Sequence, residues 1–158
     1  MCLANICRKY KIDILVCSES KLDSSIPDNL VSLPGYHEPI RSDRNRSGGG
    51  VIIYVSNHLP YKQNTNLQAE KFNHLWVDVF IKNKKYVINA MYRPPNETTA
   101  DHDLFLNVAE DILTKTKNYA ACTHIFLGDL NFGNIYCKEP ILRPKPVSYT
   151  HLTLPTKA

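Results

Sequence analysis

Runs of β-favouring apolar residues alternate with polar, proline-containing connections along most of this chain. Four such runs predict strands, at residues 11–17, 51–56, 75–82 and 86–91. A further apolar run, 122–127, predicts a buried strand that breaks at Gly128. Residues 36–41 are a weaker candidate for a strand. Apolar residues recur at helical spacing in residues 3–10 and 98–117, so the chain is predicted to mix helices with strands.

Several local signals refine this pattern. Asn83, Lys84 and Lys85 lie between two predicted strands and indicate a hairpin. Asp101 is the predicted N-cap of the long helix. Trp76 is predicted to anchor the core. Together these elements predict an α/β (α+β) domain.

Length, charge and cysteine content narrow the class of protein. A chain of 158 residues suffices for one domain and is too short for two. The net charge of +4 is a mild excess, compatible with a polyanionic partner. Five cysteines without a CxxC pair favour reduced thiols inside the cell. The thiols thus predict an intracellular protein. No apolar run reaches the roughly 18 residues of a membrane span, so no membrane contact is predicted, and no stable protein partner is predicted either.

Polar side chains follow three of the predicted strands. Glu19 comes after the strand at 11–17, and Asp129 and Asn131 come directly after Gly128. Tyr92 lies at a rim where two prolines stop the strand. Because strand ends can meet at one edge of a sandwich, this set suits metal-assisted phosphodiester cleavage with Mg²⁺, which prefers one or two carboxylates and several waters. The simpler alternatives are an Asx turn after the last strand and a tyrosine that covers the core.

The segment 41–50 is basic and then rich in glycine. No GKS or GKT follows the glycines, so a hairpin or bulge is favoured over a phosphate-binding loop. Arg41 and Arg44 are candidate contacts to DNA phosphates. If three arginines here each contacted a phosphate, the salt slope of binding would be about −2.7. A solvated charged loop explains the same residues equally well.

Four motifs in order carry a resemblance to a known family: ILVCSES followed by Leu22, RSDR followed by GGGVIIYV, NAMYRPPN, and IFLGDLNF. They resemble the endonuclease domain of non-LTR (LINE-type) retrotransposons, a member of the exonuclease–endonuclease–phosphatase superfamily. The resemblance covers about residues 3–136. It implies a four-layer α/β sandwich with two mixed β-sheets, which nicks DNA with Mg²⁺, or with Mn²⁺ in its place.

The resemblance also implies roles for single residues. Glu19 is similar to the family's Mg²⁺ ligand, and Tyr92 to the tyrosine that contacts the scissile phosphate. Asp129 matches the aspartate that orients or deprotonates the attacking water. Asn131 matches the asparagine that holds and polarises the phosphate. Two further residues lie in the loop that approaches the DNA backbone, Arg93 and Asn96.

The chain also departs from the family pattern. The family's first strand and C-terminal strands are absent, and no Ser-Asp-His run occurs. We therefore expect residues 1–136 to form a partial domain, 137–146 an irregular segment and 147–158 a non-native, vector-like tail. This fragment is expected to be inactive by itself, whereas the intact element would act in the nucleus. The alternatives are a phosphatase or phosphodiesterase acting on small phosphates, a non-catalytic basic nucleic-acid-binding remnant, and a pseudogene-like translation.

Overall fold

The computed structural model describes residues 2–67, 73–95, 98–116 and 122–131. In chain order the elements are α1 (Leu3–Tyr10), β1 (Ile14–Ser18), α2 (Asp28–Val31), β2 (Ile40–Ser42), β3 (Val51–Val55), β4 (Tyr61–Gln63), β5 (Asn73–Ile81), β6 (Lys84–Tyr92), α3 (Thr99–Thr116) and β7 (Thr123–Asp129). A short 3-10 helix, Thr65–Leu67, lies between β4 and β5. The predicted segments at 137–146 and 147–158, and Asn96, lie outside the described residues.

The described strands form two sheets. The first has the order β1-β3-β2 and is antiparallel throughout. The second has the order β4-β5-β6-β7, and it is mixed because β6 and β7 run parallel while the other pairs are antiparallel. The helix α3 makes the crossover between the two parallel strands, as such a connection requires.

The main core lies between the two sheets. Every residue of β3 is buried, and alternate residues of this strand, Val51, Ile53 and Val55, face the second sheet. Leu75, Val77 and Val79 of β5 supply the opposing surface. Burying each of these aliphatic side chains contributes roughly 1.5–3 kcal/mol to stability. The apolar runs at 51–56 and 75–82 therefore supply the central core of the sandwich.

Helices cover the outer face of each sheet. Ile112 of α3 packs with Trp76 and Val87 on the second sheet, and Trp76 is fully buried as predicted. On the first sheet, Cys7 of α1 is buried beside Cys17 of β1, whose thiol pKa is raised by burial and by the charge of Cys7. The order helix, sheet, sheet, helix confirms the predicted four-layer sandwich. The expectation that both sheets are mixed is wrong for the first sheet, whose described strands are all antiparallel. Among the described residues, no helix is long and apolar enough to cross a bilayer.

Two expectations about local structure are corrected. The hairpin turn is Lys82–Asn83 rather than residues 83–85, because both residues have positive φ (48° and 62°) and Ile81 pairs with Lys84. This two-residue turn with left-handed backbone matches the twist of the flanking strands. The N-cap of α3 is Thr98, whose hydroxyl accepts the Asp101 N–H while the Asp101 carboxylate accepts the Thr98 N–H.

The last strand also differs from the prediction. It does not break at Gly128 but continues through Asp129, and it is not buried. Phe126 and Leu127 are 43% and 41% exposed. Among the described residues, β7 pairs only with β6 and lies at the edge of its sheet, which explains the exposure.

Candidate active site

Three strand ends meet at one rim of the sandwich. Tyr92 ends β6 and is in register with Asp129, the last residue of the parallel strand β7. Glu19 follows β1 of the other sheet, and its carboxylate accepts a hydrogen bond from the Tyr92 hydroxyl. The backbone N–H of Arg93 donates to the Asp129 carbonyl at 2.9 Å and extends the pairing beyond the strands. Residues far apart in sequence are thus brought together as the strand-end pattern predicted.

The Glu19 carboxylate is held in an ionised state. The Tyr92 hydroxyl lowers the pKa of Glu19 most, against a smaller opposing effect of desolvation. The Gly49 N–H, which donates to Glu19 Oε2 at 3.2 Å, and the positive charges of Lys21 and Arg44 lower this pKa further. Glu19 itself has a left-handed backbone, with φ of 58°. An ionised, partly buried carboxylate at a rim can bind a divalent cation.

The Tyr92 hydroxyl is a persistent hydrogen-bond donor. The pKa of Tyr92 is raised to about 12, mainly by burial and also by the hydrogen bond to Glu19 and the negative charge of that carboxylate. The negative charge of Asp129 acts in that direction too, while the Arg44 guanidinium opposes it. The side chain therefore both covers the core and presents a protonated phenol at the rim.

Asp129 and Asn131 form the Asx turn that was the simpler alternative. The Asn131 N–H donates to Asp129 Oδ1 at 3.0 Å, and Asn131 has φ of 47°. The Asn131 Nδ2 donates to the Arg93 carbonyl at 2.7 Å. Since an amide nitrogen carries two hydrogens, one remains for a substrate. The turn and a functional role are compatible, because the turn fixes where both side chains lie.

The predicted DNA contacts lie in different surroundings. Arg41 is internal: it pairs with Asp28 at 2.7 Å and with Asp43, and its side chain is 9% exposed. Its guanidinium is therefore engaged by residues of its own loop and of the segment 23–28. Arg44 lies at the rim, where its charge acts on Glu19 and Tyr92.

The glycine run has the positive φ that the hairpin or bulge interpretation predicted, at Gly49 and Gly50, but its contact with the Glu19 segment was missed. The carbonyls of Gly49 and Gly50 accept the N–H groups of Lys21 and Ser20 at 3.0 and 3.3 Å. A Cβ at position 49 would lie 2.6 Å from Arg44 Cδ. The glycines therefore allow this backbone to pack directly against the Glu19 segment. The available signal was their position immediately before a strand that pairs with the strand ending at Glu19.

The donor set at the rim fits a hard cation. Among the residues that the structure describes, no group of three His, Cys, Asp or Glu could hold a metal. Zn²⁺ sites need three or four protein ligands, whereas Mg²⁺ is held by one or two carboxylates and keeps several waters. Glu19, with Asp129 at the same rim, could supply carboxylate oxygens to a divalent cation.

Comparison with known proteins finds matches in structure but not in sequence. No family model and no curated protein matches the chain. The endonuclease domain of TRAS1, a telomere-specific non-LTR retrotransposon, matches with a TM-score of 0.55 and 16% identity, over 82% of this chain and 52% of that one. Humanized D. rerio TDP2 matches with a TM-score of 0.57 and 18% identity, over 82% and 56%. The human Nocturnin catalytic domain, with bound sulfate, gives 0.54 and 18%, over 80% and 54%.

These similarities concern the fold, because the sequences are only 16–18% identical. The chain spans about half the length of the solved structures that it matches. The chain therefore shares the fold of these solved structures, which in this chain is two sheets packed face to face with helices on their outer faces.

Proposed function

We propose that this chain forms part of a Mg²⁺-dependent endonuclease that nicks DNA, within a retrotransposon polyprotein that acts in the nucleus. The observation that carries the proposal is the convergence of Glu19, Tyr92, Asp129 and Asn131 on one rim, with Arg44 beside them. The motif resemblance supports it, as does the fold shared with the endonuclease domain of TRAS1.

The residues of the rim divide the chemistry among them. The remaining N–H of the Asn131 amide donates to a non-bridging oxygen of the scissile phosphate, and the Tyr92 hydroxyl turns from Glu19 to a second oxygen. The positive charge of Arg44 attracts the same phosphate. The Asn131 amide is already fixed before substrate arrives by its bond to the Arg93 carbonyl, which reduces the reorganisation needed in the transition state.

Asp129 serves as the base. Its carboxylate orients a water molecule and takes a proton as the water oxygen bonds to phosphorus. The bond from phosphorus to one deoxyribose oxygen breaks, and that oxygen leaves with a proton from solvent. Mg²⁺, when bound by Glu19 and waters, supplies the charge that polarises the phosphate and stabilises the leaving oxygen.

The proposal is tested by measuring both duplex binding and plasmid nicking with this chain. A positioned acid or base contributes about 10² to 10⁴ in rate, and the sequence has no Ser-Asp-His run, so we expect slow nicking of supercoiled plasmid or none. We expect Mg²⁺ to strengthen duplex binding by the chain, and Glu19→Gln to abolish this response. Glu38→Gln is the matched control, because it removes the same charge at a distance from the rim. Glu38 lies near the opposite end of β3, since the N–H of its neighbour His37 donates to the Val55 carbonyl.

Three results would contradict parts of the proposal. An equal Mg²⁺ response in the Glu19 and Glu38 variants would refute the metal assignment. Release of phosphate from small phosphomonoesters, without duplex binding, would favour the phosphatase alternative. Robust nicking that disappears in Asp129→Ala would confirm the reaction but refute the expectation of low activity.

A further inference from the structure

Arg93 lies in surroundings that differ from those expected of a DNA contact. The residue is 6% exposed, and its guanidinium carbon lies 5.9 Å from the ring centroid of Phe105. Its Nη1 donates to the carbonyls of Leu130 and Asn131, at 3.2 and 3.4 Å. The side chain therefore points inward, toward the back of the loop that carries the Asp129 and Asn131 side chains.

The backbone of Arg93 binds the same loop. Its N–H donates to the Asp129 carbonyl at 2.9 Å, and its carbonyl accepts the Asn131 Nδ2 at 2.7 Å. One residue thus makes four hydrogen bonds to three consecutive residues that are 36 to 38 positions away in sequence. These bonds cover the loop from its first residue to its last.

The loop needs such support because of its conformation. Asn131 has φ of 47°, a left-handed backbone that only a few residue types adopt without cost. Two carbonyls in a row, those of Leu130 and Asn131, face a partly buried region and need donors. A guanidinium presents several N–H groups in a rigid plane and can serve both carbonyls, whereas a lysine ammonium is a compact point charge.

We propose that Arg93 is a positioning residue, which fixes the loop from Asp129 to Asn131 and makes no contact with DNA itself. Its consequence for catalysis rests on the proposed function, since Asp129 and Asn131 are the groups it would hold in place. Its structural role does not, because every bond named is present without substrate.

The first experiment separates this role from phosphate binding. Arg93→Gln and Arg44→Gln each remove one positive charge, and duplex affinity is measured for both between 50 and 200 mM salt. We expect Arg44→Gln to reduce the magnitude of the salt slope by about 0.9. Between 50 and 200 mM salt, the affinity of this variant should therefore fall by a factor about 3.5 times smaller than that of the wild type. Arg93→Gln should keep the slope of the wild type. A slope reduced equally in both variants would overturn the proposal for Arg93.

The second experiment needs neither DNA nor metal. NMR order parameters are measured at Leu130 and Asn131, and on β5 as an internal control. We expect values near 0.85 in the wild type to fall below about 0.6 at the loop in Arg93→Gln, with β5 unchanged. If that variant does not fold, Arg93→Lys keeps the charge, and the loop should still loosen. A loop that stays rigid in whichever variant folds would overturn the proposal. If the wild type fails to bind duplex, the proposed function is wrong while this measurement still tests Arg93.

Discussion

Replacing Gly49 by alanine would test how closely the glycine run packs against the rim. Gly49 has φ of 78°, and a Cβ there would lie 2.6 Å from Arg44 Cδ and 3.2 Å from Tyr92 Cε1. The first distance requires Arg44 to move, and the second is tight enough to press on the Tyr92 ring. The substitution therefore strains the backbone and displaces two side chains of the candidate site.

The magnitude follows from these two effects. A left-handed backbone costs an L-residue about 1–2 kcal/mol. Overpacking adds about 1–3 kcal/mol. We expect Gly49→Ala to lower the free energy of unfolding by about 2–5 kcal/mol in total. Displacing Arg44 should weaken Mg²⁺-dependent duplex binding by about 10-fold, the equivalent of one charge-assisted hydrogen bond of about 1.5 kcal/mol.

Gly35 offers a matched control for the backbone effect. Its φ is 88°, but no atom lies within 4 Å of the Cβ position, so Gly35→Ala has strain without a clash. Urea unfolding followed by circular dichroism gives both stabilities, and fluorescence anisotropy gives both duplex affinities. Equal destabilisation and equal duplex affinity of the Gly49→Ala and Gly35→Ala variants would refute the predicted clash at position 49.

Three further predictions concern other parts of the rim and the long helix. Gly128→Ala would place a Cβ 1.8 Å from the Met91 carbonyl oxygen, so we expect a loss of at least about 3 kcal/mol in urea unfolding; a milder loss would show that β7 can move away. Tyr92→Phe removes the donor that lowers the pKa of Glu19, so NMR titration should show this pKa rising. Because a depressed carboxylate pKa stabilises the fold above the unfolded pKa, the wild type should lose this contribution at lower pH than the variant; an unchanged pKa would contradict the hydrogen bond. Thr98→Ala removes the cap of α3 and should cost about 1 kcal/mol in the same urea assay, and an unchanged stability would argue against the cap.

Local patterns predicted most of the architecture. The apolar runs at 51–56 and 75–82 became β3 and β5, because strands buried on one or both faces need such residues. Glu19, Tyr92 and Asp129 lie at the ends of strands, and this pattern predicted a shared rim. In a layered fold the ends of the strands lie at the edges of the packed sheets, where they can meet. The prediction that β7 is buried was wrong. The burial of a strand depends on its neighbours in the sheet and not on its own composition.

The sequence by itself determined the longer strands and the two longer helices, the layered class of fold and the chemistry available at the strand ends, but not the short elements α2 and β4. Only the tertiary structure decided which arginine faces the rim: Arg41 pairs with Asp28, Arg93 binds the loop near Asn131, and Arg44 stays beside the candidate site. The physical reason is that the direction of a long charged side chain depends on partners distant in sequence, whereas strand formation depends on the pattern of adjacent residues.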